Sequence, residues 1–275
     1  MSHPLFDLTG RVGLVSGAAS GIGKAMSIGF AEAGADLILA DLNEAGMKDT
    51  VRQIEAAGQR AVPVVCDVSD GAQIRAMFER LDREYGRIDM IGNVAGGDGP
   101  GNKLPLEISE EVVVRTLQGL IVGRLICCQE AAKRMMKGDG GSIINIVSIG
   151  GLTSLGRSHM AYGIGMGGVA QMTRDLSTEW SSKGVRVNAI VCAQIMNQGL
   201  KERIADDPKL GDTFLRGLPI GRLGQPDDIK GLAIFLASDA SAWVTGTLIP
   251  LDGGNLAKNA GGSHPGMPNA PDEQT

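Results

Sequence analysis

Val12-Gly13-Leu14-Val15 is a short apolar run of strand length, and it leads directly into Ser16-Gly17-Ala18-Ala19-Ser20-Gly21-Ile22-Gly23. A helical pattern follows from Lys24 to Ala33. No other stretch narrows the possible folds as far. A strand, a glycine-rich turn and a helix in this order aim the free N–H groups and the positive end of a helix dipole at one point. Glycines there let an anion approach the backbone closely. The pattern suits a phosphate-bearing ligand.

The same alternation continues down the chain. Strands are expected at Ala35–Ala40, Val62–Val65, Ile88–Ile91, Ser142–Val147, Val185–Val191 and Leu248–Leu251. Helices are expected at Ser69–Arg83, Ser109–Met136, Ala161–Ser182 and Asp227–Ser238, with a short helical piece near Leu200–Ala205 inside a loop-rich insertion from Cys192 to Gln225. Strands alternating with helices give an α/β fold, a single doubly wound parallel sheet with right-handed crossovers. Ligands of such sheets bind at the carboxyl ends of the strands. Asp41 falls at one of those ends, where a carboxylate can bind the adenosine ribose and repel the extra phosphate of NADP. The alternative is a helix cap, because Asp41-Leu42-Asn43-Glu44 precedes a helical pattern. Residues 1–254 read as one domain. Residues 255–275, rich in Gly, Pro and Asn without apolar periodicity, read as a mobile tail.

Composition removes several classes. The net charge of −5 argues against a nucleic-acid surface or an anionic membrane surface. No apolar run is long enough to span a membrane, and MSHPLFDLTGR lacks the pattern of a secretory signal, so a cytoplasmic protein is expected. Cys66, Cys127, Cys128 and Cys192 form no CxxC pair, and His3, His159 and His264 no HExxH. Reduced, buried thiols are expected, and no metal.

The stretch from Asn145 to Met166 carries the chemistry: a strand ends in Ser148, a loop follows, and a helical segment bears Tyr162. A serine and a tyrosine so placed can polarise a carbonyl and exchange its proton. Together with SGAASGIG at 16–23, Asp67-Val68, NVAG at 93–96, RVNAI at 186–190, IGRLGQPDDI at 220–229 and TGTLIPLDGG at 245–254, these residues make residues 7–255 resemble the short-chain dehydrogenase/reductase family. The resemblance implies a Rossmann-like sheet of about seven strands, a nicotinamide dinucleotide (NAD, given Asp41), an alcohol or ketone substrate, and a dimer or tetramer. It implies that Ser16, Gly17, Ser20, Gly21, Ile22 and Gly23 cradle the pyrophosphate. Asp41 would take the ribose, Asp67 and Val68 the adenine, and Asn93, Ala95 and Gly96 would lie beside the cofactor. Ser148 would hold the substrate oxygen, and Tyr162 would exchange its proton and touch the cofactor.

The departures from the family pattern all fall in the nicotinamide half. The family lysine four residues after the tyrosine is Met166, and the family asparagine aligns with Leu120, or with Gln118 if the register slips. The usual Pro-Gly and threonine after RVNAI are Cys192-Ala193 and Asn197. His159 could relay a proton to Tyr162 or simply face solvent at a helix entry. Gly163, Gly165, Gly167 and Gly168 would fray an exposed helix, which calls for something packed closely against it, a partner helix being one candidate. Leu104, Leu152, Leu155, Ile195, Met196 and Leu200 suggest a partly apolar substrate pocket, and Arg157 could meet a carboxylate or stay solvated. Three functions remain open. The chain is an NAD-dependent alcohol dehydrogenase or carbonyl reductase without the lysine, an inactive subunit supporting a complete paralogue in a hetero-oligomer, or a catalyst of dehydration or epimerisation.

Overall fold

The structure, a computed structural model, describes residues 3–96, 104–155 and 158–258. Seven strands form one parallel sheet: β1 (Val12–Ser16), β2 (Asp36–Asp41), β3 (Ala61–Val65), β4 (Met90–Asn93), β5 (Gly141–Ser148), β6 (Val185–Cys192) and β7 (Leu248–Leu251). Their order is β3-β2-β1-β4-β5-β6-β7, every neighbouring pair parallel. The order reverses between β1 and β4, which opens a crevice at the carboxyl ends of those two strands. The helices are α1 (Gly21–Glu32), α2 (Glu44–Ala56), α3 (Gly71–Glu84), α4 (Glu110–Leu117), α5 (Arg124–Met135), α6 (Met160–Trp180), α7 (Gln198–Asp206), α8 (Pro208–Leu215) and α9 (Ile229–Ala237).

The strands are apolar throughout because both faces of the sheet are covered. Pleating sends Leu37, Leu39, Ile144 and Ile146 towards Met26 and Phe30 of α1 and Ile229 and Leu236 of α9. Leu14, Ile38, Ile91 and Ile143 face the other way, onto Ile74, Phe78 and Leu81 of α3 and Cys127 and Cys128 of α5. All four cysteines are free and buried. Burial pushes the Cys66 thiol up to about 11 and those of Cys128 and Cys192 up to about 12. Among the described residues no helix is long and apolar enough to cross a membrane.

Three expectations change in detail. The helix expected over 109–136 is two helices joined by a π-helical stretch, Gln118–Gly123. A π-turn absorbs an extra residue, and here it brings Gly123 so close to the loop after β3 that a Cβ would lie 1.8 Å from the Val68 carbonyl oxygen. Within the insertion, α8 was not expected, although Asp207 caps it and Pro208 opens it, a legible start signal. Residues 255–258 of the expected tail are held to the domain. Asn255 donates to the Gly217 carbonyl at 2.7 Å, and the Leu256 amide donates to Asp252 at 2.7 Å. Residues 259–275 lie outside the described residues.

Candidate active site

The crevice is closed below by hydrogen bonds between the loops that form it. Ser16, buried at the end of β1, accepts at Oγ from the amides of Val94 (3.1 Å) and Ala95 (3.2 Å), tying the glycine loop to the loop after β4. Gly17 has φ +73°, and a Cβ on Gly23 would lie 2.1 Å from the Gly17 carbonyl oxygen, so the first turn of α1 folds hard against the loop. Ser20 is the N-cap of α1, exposed, and makes no side-chain cap bond; Gly21 and Ile22 begin the helix. The Ser20 hydroxyl does not cap the amides of this turn, an arrangement that fits a pyrophosphate.

Asp41 sits beside the cradle. Its Oδ2 accepts from the Ala19 amide at 3.0 Å and its Oδ1 from the Asn43 amide at 2.9 Å. The helix cap is Asn43, which accepts from the Gly46 amide at 2.9 Å. Asp41 is thus joined to the glycine loop and is not the cap of α2. Further along the edge, Asp67 Oδ1 accepts from the amide (2.8 Å) and hydroxyl (2.7 Å) of Ser69. Gln118 Nε2 donates to the Ser69 carbonyl at 3.2 Å, so Gln118 faces this loop while Leu120 turns into the core.

Asn93 is buried. Its Nδ2 donates to Asn145 Oδ1 at 3.0 Å, Asn145 Nδ2 donates to Thr173 Oγ1 at 3.0 Å, and Thr173 donates to the Val169 carbonyl at 2.8 Å. A polar thread therefore runs from β4 through β5 into α6. Asn93 Oδ1 is buried with no hydrogen-bond partner. Neither Asn145 nor Thr173 stood out in the sequence, where each sits in an ordinary apolar element.

Ser148 ends β5, half-buried, and its Oγ accepts from the Gly150 amide at 3.1 Å, capping the turn 149–151. That turn lies directly on the helix bearing Tyr162. A Cβ on Gly151 would be 2.6 Å from the Met166 carbonyl carbon and 2.8 Å from the Gly167 amide, and one on Gly163 would be 3.0 Å from the Gly150 carbonyl oxygen. On the other side, a Cβ on Gly165 would meet Leu120 at 2.6 Å, and one on Gly168 would meet Ile121 at 2.6 Å. The glycines of α6 therefore serve packing within this chain, against the turn and the π-helical stretch. Tyr162 is half-buried in the first turn of α6, and the His159 ring stands edge-on to it, centroids 6.4 Å apart at 83°.

Met166 and Leu120, expected from the family resemblance at its lysine and asparagine positions, lie in one buried apolar cluster with Val147, Ile149 and Val169, and Tyr162 packs against it. Both are buried, at 3% and 0% exposure. Asn197 caps α7, accepting from the Leu200 amide at 2.9 Å. Beyond the end of β6, Ala193, Gln194 and Ile195 line a cavity of about 180 Å³ with Leu218, Ile220 and Arg222, and Gln194 Oε1 is buried there without a partner. Residues 97–103 and Arg157, expected to border the substrate, lie outside the described residues.

A buried cation completes the floor. Arg124, exposed to only 2%, donates from Nε to the Ala95 carbonyl (3.1 Å), from Nη2 to the Val94 carbonyl (3.1 Å) and from Nη1 to the Ile146 carbonyl. Sequence reasoning passed over it. The signal was a lone charge in the apolar run Leu120-Ile121-Val122-Gly123-Arg124-Leu125-Ile126.

Comparison with known proteins places this architecture. A family model described as enoyl-(acyl carrier protein) reductase matches residues 17–255. D-threitol dehydrogenase of Mycolicibacterium smegmatis is 35% identical, covering 92% of this chain and 95% of that protein. The crystal structure of a short-chain type dehydrogenase/reductase from Mycobacterium marinum superposes with a TM-score of 0.84 at 29% identity, over 92% of this chain and 98% of that one. The chain belongs to the short-chain dehydrogenase/reductase family. Among family structures, a gluconate 5-dehydrogenase from Burkholderia cenocepacia J2315 in complex with NADP and tartrate has a TM-score of 0.85 at 30% identity, over 93% of this chain and 99% of that one. Membership in the short-chain dehydrogenase/reductase family accounts for the seven-stranded parallel sheet and its reversal of order between β1 and β4.

Proposed function

We propose that this protein is an NAD(H)-dependent oxidoreductase that interconverts a secondary alcohol and its ketone, the substrate being a small polyol or sugar acid. The observation that carries the reading is the turn after Ser148, packed on the first turns of the Tyr162 helix beside an intact dinucleotide cradle. Gly17, Gly21 and Gly23 would hold the pyrophosphate and Asp41 the ribose hydroxyls. The Asp41 carboxylate supports NAD over NADP, since a second anion beside it would be repelled. The names of the threitol and gluconate enzymes support the substrate class.

The dinucleotide, when bound, supplies the hydride acceptor or donor. Ser148 Oγ holds the substrate oxygen, and Tyr162 gives or takes its proton. A phenol with an ordinary pKa of ~10 is ionised in only about one molecule in a thousand at neutral pH. Reduction uses the neutral phenol as acid and proceeds from the major form. Oxidation needs the phenolate, so its rate rises with pH across the neutral range.

A second reading is favoured by one observation. Leu120 and Met166 lie in one buried apolar cluster where the family resemblance implies two polar side chains. A subunit that keeps the fold and supports a complete paralogue in a hetero-oligomer would tolerate this. Exposed Val114, Val122 and Ile164, on α4, the π-helical stretch and α6, support assembly with a second chain of either kind.

Calorimetric titration with NAD, NADH, NADP and NADPH tests the cofactor half. The expected result is micromolar binding of the NAD pair, weakened at least about tenfold (about 1.4 kcal/mol) by Asp41→Ala. Preference for the NADP pair, or no binding of any of the four, would overturn the reading. Purification from the native cell tests assembly: a constant second family member at fixed ratio would favour the supporting subunit.

A further inference from the structure

We infer that Arg124 stands in for the absent lysine as the charge-setting residue of the site, its buried guanidinium favouring the ionised form of Tyr162. The inference rests on the reading of Tyr162 as the group that exchanges the substrate proton.

The guanidinium is placed for this role. Its three carbonyl partners come from the carboxyl ends of β4 and β5, and Ile146 lies two residues before Ser148 on the same strand. A Cβ on Gly96 would lie 3.2 Å from Arg124 Nε and 3.2 Å from Leu120 Cδ2, so the loop after β4 covers both side chains. Leu120 in turn presses on Gly165 and shares an apolar cluster with Met166 and Tyr162. The path from guanidinium to phenol therefore runs under the floor of the site, partly through hydrocarbon. An unscreened charge acts over longer distances in such a medium than in water.

The charge is not cancelled. Among the described residues no carboxylate lies within ion-pairing distance of Arg124, in contrast to Arg134, which Asp82 and Glu130 both pair. Arginine stays protonated even when burial opposes its charge. Tying three carbonyls together needs donors but no net charge, and a sealed, unpaired charge is expensive to keep. Burial lowers the Arg124 pKa, and the group that opposes this most strongly is Tyr162. Such coupling is reciprocal, so the guanidinium favours the phenolate to the same extent.

Among the described residues, the other titratable groups facing this region are Cys127 and Cys128 on α5, Cys192 opposite Ser148 on β6, and His159 at the head of α6. Burial holds the Cys128 and Cys192 thiols near 12 and pushes Cys127 up as well, so all three stay neutral where Tyr162 is expected to ionise. The charge of His159 is controlled by running every titration also in His159→Gln.

The test exploits the chain's two tyrosines. Burial pushes Tyr85 up to about 12, which separates it from Tyr162. Tyrosine labelled with ¹³C at Cζ gives two NMR signals, assigned with Tyr162→Phe and titrated against pH without nucleotide or substrate. The expected Tyr162 midpoint in Arg124→Gln lies at least about one pH unit above that of the unaltered protein, with Arg124→Lys restoring most of the difference. An unchanged midpoint in a folded Arg124→Gln protein would overturn the inference. Should that variant not fold, the unaltered protein decides: a midpoint below the ~10 of a free phenol supports the role, and one at or above it refutes it. Because no cofactor is present, a lowered midpoint without any hydride transfer would sink the proposed activity and leave the role of Arg124 standing.

Discussion

At the scale of single residues, the site is divided. On the side expected to take adenine and pyrophosphate, Gly23 has no room for a Cβ and Asp41 is fixed by two amides. On the side expected to take the nicotinamide, Leu120 and Met166 lie buried in one apolar cluster. Met166→Lys alone places an ammonium among hydrocarbon side chains. It should lower stability by about 1–3 kcal/mol, seen as a lower denaturation midpoint. Adding Leu120→Asn supplies a partner, and the double variant should recover stability and raise hydride transfer by about tenfold or more. A stable single variant with full gain would show that the cluster is not buried as described. Ser148 and Tyr162 were readable as candidates from their places in the sequence. Arg124, Asn145 and Gln194 were not, because their roles come from carbonyls and amides that meet only when distant strands are assembled.

Among the elements, strands and long helices were legible because their apolar patterns reflect a sheet covered on both faces. The π-helical stretch was not legible, since the close approach of Gly123 to the Val68 carbonyl that accompanies it is a tertiary contact. The turn 149–151 has a similar dependence on tertiary packing. Gly151→Ala would drive a methyl group into the backbone of Met166 and Gly167, moving Ser148 relative to Tyr162. Overpacking of this kind costs about 1–3 kcal/mol, and turnover should fall together with the melting temperature while nucleotide binding is kept. Elsewhere α3 and α5 are fastened by Arg134, which donates from Nε and Nη2 to the two Asp82 oxygens at 2.7 Å each. That pairing holds the Asp82 carboxyl below its usual value. Its stabilisation is therefore complete above the ordinary carboxylate range near ~4 and is lost as the pH falls through the lowered value. Asp82→Asn should lower stability at pH 7 by about 1 kcal/mol, because the pair is partly exposed, and the gap to the unaltered protein should close towards pH 3.

For the whole molecule, a doubly wound parallel sheet was legible from the alternation of strands and helices, while its strand order is set by tertiary pairing and assembly depends on surfaces the pattern does not mark. Ile164 is 49% exposed on the outer face of α6, and Trp243 is fully exposed between α9 and β7. If α4 and α6 form an interface, Ile164→Glu should reduce the mass measured by sedimentation, and Trp243→Ala should do the same if a second interface exists. A monomer in the unaltered protein would remove both expectations. The central claim, turnover without the family lysine, is met most directly by single-turnover absorbance at 340 nm. The NAD-loaded protein would be mixed with four- to six-carbon polyols and sugar acids, and the NADH-loaded protein with the matching ketones. The account predicts hydride transfer in both directions, faster in reduction at neutral pH, and reduced about 10²–10⁴-fold in Tyr162→Phe. Bound nucleotide with no transfer across that panel, or equal transfer in Tyr162→Phe, would contradict it.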